Sequence, residues 1–176
     1  MADLLVKLYE LPDVHPLVTA LHAQGVEVRQ PFPTEKHHLS TWVLRHFSES
    51  WAAGIELAVG TWPARCYIAV RRTRQQPPGD DPYDLPTEEL LGFGCYDVSA
   101  RGMFGPLGVR EDWRGRGIGR ALLVSCLHAM RVEGYAYAVI GWAGPVDFYT
   151  RAVGAMEIPG SAPGVYRGRL IDQDGV

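Results

Sequence analysis

Apolar positions along this chain follow two periods. Leu39, Trp42, Val43, His46, Phe47, Ser50 and Trp51 recur at the three- and four-residue steps of one helix face. With Thr34 as N-cap, that spacing predicts a single helix from there through Trp51. Its aromatic stripe reads as core packing first and as a ligand groove second. A second helical pattern covers residues 117–133, with Ile118, Leu122, Cys126 and Ala129 on one face and Leu123, Leu127 and Met130 widening it. Gly134 stops it. Asp13 caps a shorter helix carrying Val14, Leu17, Val18 and Leu21, and residues 145–152 form another short one. Strand-like runs cover residues 4–9, 66–70, 90–98, 103–109, 135–141 and 165–170, with a hairpin turn at 99–102. Strands and helices intermix, which predicts a layered α/β (α+β) sheet.

Composition narrows the picture. The chain has 176 residues, 47% hydrophobic and 21% charged, enough for one domain with a real core and incompatible with disorder throughout. A single domain over 1–176 is expected, interrupted by a mobile Pro-, Gly- and Asp-rich loop at 75–86. A net charge of −3 provides no basic field for nucleic acid or an anionic membrane. Cys66, Cys95 and Cys126 lack CxxC or metal-ligand spacing, so they read as reduced, buried thiols of a cytoplasmic protein. Neither a signal peptide nor a membrane span is legible.

One segment carries chemistry. Between a strand and a long helix runs Gly108-Val109-Arg110-Glu111-Asp112-Trp113-Arg114-Gly115-Arg116-Gly117-Ile118-Gly119-Arg120. Its glycines let successive backbone N–H groups converge, the helix start adds unpaired N–H groups, and three arginines add charge. That combination predicts a phosphate-binding site. No Gly-Lys-Ser/Thr occurs in the chain, and Arg120 stands where a dinucleotide fingerprint needs its third glycine.

Arg114-x-x-Gly117-x-Gly119, preceded by Leu107-Gly108-Val109, resembles the coenzyme A loop of the GNAT acetyltransferase superfamily. The likeness runs through the following helix, the strand at 137–140 and Asp147-Phe148-Tyr149, so that residues 105–154 form the matching core. It implies a mixed, mostly antiparallel sheet flanked by helices, with two parallel strands splayed around acetyl-CoA as cosubstrate and no metal. Leu107, Gly108 and Val109 would meet the pantetheine arm. Arg114, Gly115, Arg116, Gly117, Ile118, Gly119 and Arg120 would wrap the pyrophosphate, with Glu111 and Asp112 orienting the loop. Tyr149 would be the general acid toward the departing thiolate. Two positions depart from the family's pattern: residues 142–146 contain no asparagine, and Ala155 follows Gly154 where phenylalanine is usual.

The implied reaction is acetyl transfer to a primary amine of a small molecule or peptide, by direct attack in a ternary complex. Backbone N–H near Val109 would steady the oxyanion. The alternative is an acyl-CoA-binding or regulatory module of the same fold. Asp97 and a water relay both stand as the general base. Trp42, Trp51, Trp62 and Tyr83 are candidates for an apolar acceptor pocket. The resemblance also implies a homodimer, with Val165 and Tyr166 at the contact.

Overall fold

Along the central strands the side chains of both faces are buried, because each sheet face has its own helices to meet. The computed structural model describes residues 1–73 and 87–165. In chain order its elements are β1 (Leu4–Lys7), α1 (His15–His22), β2 (Val26–Arg29), α2 (Lys36–His46), α3 (Glu49–Val59), β3 (Cys66–Arg72) and β4 (Glu88–Tyr96). These are followed by β5 (Met103–Val109), α4 (Ile118–Val132), β6 (Tyr137–Ile140), α5 (Val146–Val153) and β7 (Met156–Glu157).

The strands form one sheet in the order β2-β3-β4-β5-β6-β1-β7. Among the described strands only β5 and β6 are parallel, and every other pairing is antiparallel. This is the mixed, mostly antiparallel sheet expected from the sequence. In β3, Cys66, Ile68 and Val70 enter a core with α2 and α3, while Ala69 enters the opposite core with α1 and α4. A bulge beside Val70 switches the faces of β4, so Leu91 packs with α4 and Phe93 with α2 and α3. Helix α4 is the central one. Ile118, Leu122, Leu123, Leu127 and Met130 lose almost all exposure, each such burial stabilising by about 1.5–3 kcal/mol.

The helix expected to run unbroken through Trp51 is two helices. Phe47 leaves α2 at φ −137° and ψ −106°, and Ser48 takes an extended conformation as the N-cap of α3. Its Oγ accepts from the Trp51 N–H at 3.4 Å. A polar N-cap thus ends one apolar stripe and starts another. The short edge strands β2 and β7 are not among the expected strands: β7 has two residues, and β2 offers a single alternating pair, Val26 and Val28 with Glu27 and Arg29. The expected strand at 165–170 begins on a bend at Val165 and otherwise lies outside the described residues, as do Tyr166 and the loop at 75–86.

The three cysteines are buried and unbridged, as expected. Among the described residues no helix is long and apolar enough to cross a membrane, and no group of His, Cys, Asp or Glu could hold a metal ion.

Candidate active site

The parallel pairing of β5 with β6 is brief. Met103 faces Val139 and Phe104 faces Ile140, after which the register ends. Strand β5 continues to Val109, held on its other edge by β4 through Leu107–Gly94, Gly108–Phe93 and Val109–Gly92. The two parallel strands therefore part after Phe104, leaving one edge of β5 without a neighbouring strand among the described residues.

Backbone direction along that edge follows from the strand repeat. The Arg110 N–H donates to the Leu91 carbonyl of β4 at 2.9 Å. Alternation then turns the N–H and C=O of Val109 the other way, into the gap. There the Val109 carbonyl accepts from Arg114 Nε at 3.2 Å. The first turn of α4 closes one end of the gap. Its N-cap, Gly117, has φ +90° and no side-chain cap, so the N–H groups that follow stay available to an anion. Gly115 is left-handed as well, at φ +76°, and neither glycine has another group within 4 Å of where a Cβ would stand. The loop is open toward the gap and its turns need glycine.

Charged groups behind the loop fix its path. Arg110 bridges Glu89 and Asp112, and Arg71 adds a second hydrogen bond to Glu89 at 2.7 Å. Arg110 first, then Arg71, holds the Glu89 carboxyl below its ordinary range, and Arg110 does the same for Asp112. Trp113 is buried beneath the loop with Arg71 over its ring at 4.7 Å and Arg116 at 4.5 Å.

These elements line one cleft of about 1760 Å³. A pocket for one small ligand holds roughly 300–1,000 Å³, so the cleft has room for two reactants. Leu107, Gly108, Val109, Arg114, Gly115, Gly117, Ile118, Gly119, Arg120 and Tyr149 all line it. Arg116 is not among the lining residues; its guanidinium lies over the Trp113 ring.

Tyr149 lies in the first half of α5, buried against Phe148 with ring centroids 5.0 Å apart. Burial pushes its phenol pKa up. No described residue hydrogen-bonds its hydroxyl, so the donor is uncommitted within the described structure. Asp97 is differently placed. It sits just beyond β4 with φ +58° and its side chain fully buried. Its carboxylate accepts from the Gly102 N–H and the Tyr135 hydroxyl, both at 2.7 Å, and pairs with Arg65 at 3.5 Å. Those contacts make Asp97 a clamp on the β4–β5 turn. Burial pushes the Cys95 and Cys126 thiols up, away from nucleophile chemistry.

The far wall was only partly legible in sequence. Phe47, Trp51, Gly54 and Leu57 line the cleft, and Trp142 and Phe148 join them from beyond β6. Of the aromatic candidates, Trp51 reaches the cleft. Trp42 packs behind it against Phe47 and Phe93, Trp62 is exposed elsewhere, and Tyr83 lies outside the described residues.

Solved structures share this architecture. A GCN5-related glucosamine N-acetyltransferase region of a fungal multi-domain GH3 β-N-acetylglucosaminidase superposes with a TM-score of 0.64 at 16% identity, covering 89% of this chain and 19% of that one. A GCN5-related N-acetyltransferase from Sphaerobacter thermophilus gives 0.59 at 19% identity, covering 89% of this chain and 48% of that one. A Mycobacterium tuberculosis protein solved in complex with CoA gives 0.53 at 18% identity, covering 77% and 74%. This chain thus spans under half the length of the first two. At these identities the likeness is one of fold. No curated protein matches the chain. The sequence model of the acetyltransferase (GNAT) family matches residues 41–155, from α2 through the end of α5, and the chain belongs to that family.

Proposed function

We propose that this chain transfers the acetyl group of acetyl-CoA to a primary amine, by direct attack within a ternary complex. One observation carries the reading: the edge of β5 without a described partner strand, the uncapped start of α4 and Tyr149 all line a single cleft. The loop from Arg114 to Arg120 would take the pyrophosphate, through backbone N–H groups and the two arginines that line the cleft. The Val109 N–H would meet the carbonyl oxygen as it gains charge.

The amine would enter as the free base, having left one proton in solvent. Its nitrogen forms the C–N bond, the C–S bond breaks, and the Tyr149 proton passes to sulfur. The proton lost by nitrogen restores the phenol through water. Asp97, committed to Tyr135, Gly102 and Arg65, has no part in this sequence. The whole chain would act as one acetyltransferase domain, and a homodimer belongs to the same proposal. Thiol release from acetyl-CoA with a mixed amine panel tests the reaction, and light scattering tests the dimer.

A second reading draws on a different observation. No carboxylate or imidazole is among the described residues lining the cleft, as an acyl-CoA-binding module would allow. Tight coenzyme A binding without thiol release from any amine would identify that module.

A further inference from the structure

The cleft is electrically divided. Among its described lining residues Arg114 and Arg120 are the only charged side chains, and both belong to the phosphate loop and its helix. The opposite wall comes from one face of α3, where Ser50, Gly54 and Leu57 follow at helical spacing. Beside them Phe47 stacks on Trp51 with ring centroids 5.2 Å apart and planes 24° from parallel. Leu57 and Trp142 line the same cleft while 56% and 46% exposed. Large apolar groups held open to water in a concave site mark a place where an apolar ligand is to be covered.

Among the described residues no nearby acid lines the cleft, including Glu49 at the start of α3 and Asp147 beside Phe148. On α3 itself, Glu56 accepts from Ser40 of α2 and does not line the cleft. The Asp97 carboxylate, next in sequence to the lining residue Val98, is buried in its clamp. A second ammonium seated in the cleft would therefore lose hydration without gaining a carboxylate from the described lining, an unfavourable exchange. For the reacting amine the same walls help. An apolar surrounding lowers an amine's pKa and favours the free base, which is the nucleophile.

We infer that the acceptor is a primary amine on an apolar, ring-bearing body with no second positive charge, seated between α3 and the edge of β5. This rests on the transferase reading for the word acceptor, while the pocket itself can be tested apart from turnover.

The experiment uses the full chain saturated with coenzyme A, which cannot react. Calorimetry compares phenylethylamine with diaminopentane, two amines of similar length. Phenylethylamine should bind tighter by about tenfold or more, the difference expected when one buries a ring and the other strands a charge. The exposed Leu57 gives the companion variant. Leu57→Glu should move the preference toward diaminopentane by about two- to fivefold, the reach of a solvent-exposed ion pair. Equal or tighter binding of diaminopentane to the unaltered protein overturns the inference, as does failure of both amines to bind at millimolar concentration. Thiol release from acetyl-CoA with the same pair separates the two ideas. Selective phenylethylamine binding without turnover upholds the pocket and removes the transferase reading. Preferred turnover of diaminopentane keeps the transferase and removes the pocket.

Discussion

The ring of Phe47 rests on the backbone of Gly108, so closely that a Cβ at Gly108 would stand 2.6 Å from Phe47 Cζ. The Phe93 ring approaches the same point, at 2.8 Å. The break between α2 and α3 thus sets its aromatic residue directly against the strand whose other edge faces the gap. Gly108→Ala must displace two rings, an overpacking cost of about 1–3 kcal/mol. Thermal melting should fall by about 2–4 °C for each kcal/mol lost. Adding Phe47→Leu to that variant should recover part of the loss, because the shorter side chain yields the space. A double variant that melts at the sum of the two single losses would show that the contact is not the cause.

Gly117 and Gly119 separate conformational need from close approach. At Gly117, φ is +90°, so Gly117→Ala forces a side chain into left-handed backbone at about 1–2 kcal/mol. Gly119 lies in α4 itself, and a Cβ there would meet only ordinary contacts, Val109 Cγ2 at 3.5 Å and Phe148 Cζ at 3.8 Å. Gly119→Ala should therefore fold as well as the parent, or gain about 0.5–1 kcal/mol from helix propensity. If the α4 start cradles pyrophosphate, the same methyl group should weaken coenzyme A binding by about tenfold or more. Calorimetry on the folded Gly119→Ala protein decides this, and unchanged affinity would place the phosphates elsewhere.

The loop from Arg114 to Gly119 was readable because its pattern is local. Arg114, Gly117 and Gly119 lie within one turn of chain, so their spacing alone describes the turn and the helix start. The limits of β5 were readable for a related reason: residues 103–109 are bounded by a tight turn and a polar loop, and they match the observed Met103–Val109. What escaped depends on distant contacts. Ser48 fits both a continuous helix and an N-cap, and the break is accompanied by the packing of Phe47 on Gly108, a contact some sixty residues away in the chain. The contact of Arg116 with the Trp113 ring likewise has no signature in the local spacing. Asp97 looked like the nearest acid to the chemistry until Tyr135 and Arg65, each more than thirty residues away in the chain, appeared beside it.

The Asp97 clamp leads to a prediction opposite to that for a catalytic base. Asp97→Asn keeps an oxygen for the Gly102 N–H but removes the charge facing Arg65 and disturbs the Tyr135 hydrogen bond. A loss of about 1–3 kcal/mol in stability is expected from a broken buried polar contact. Acetyl transfer per folded molecule should stay within about twofold of the parent, well short of the 10²–10⁴-fold that general-base removal costs. Denaturant unfolding and active-site-normalised rates read the two effects separately. A stable variant with a large rate loss would return Asp97 to the reaction.

Tyr149 carries the opposite expectation. Its ring is buried against Phe148 while its hydroxyl has no described partner, so Tyr149→Phe keeps the packing and removes only the donor. Melting temperature and coenzyme A affinity should barely move. The rate of acetyl transfer should fall by roughly 10- to 10³-fold, at or below the usual range for a general acid because water substitutes in part. The pH dependence follows from burial, which raises the phenol pKa above its ordinary value of about 10. A raised pKa keeps the acid protonated, so the parent rate should show no Tyr149-dependent fall below about pH 10. By linkage, the buried neutral phenol stabilises the fold fully below the unfolded pKa, and that contribution is lost as pH rises through the folded pKa. The rate profile of the parent should therefore keep its alkaline limb at the upper end of the stability range, and Tyr149→Phe should lower the plateau and remove that limb. If the variant melts several degrees lower with an unchanged rate, the phenol is a packing element and the thiolate takes its proton from water.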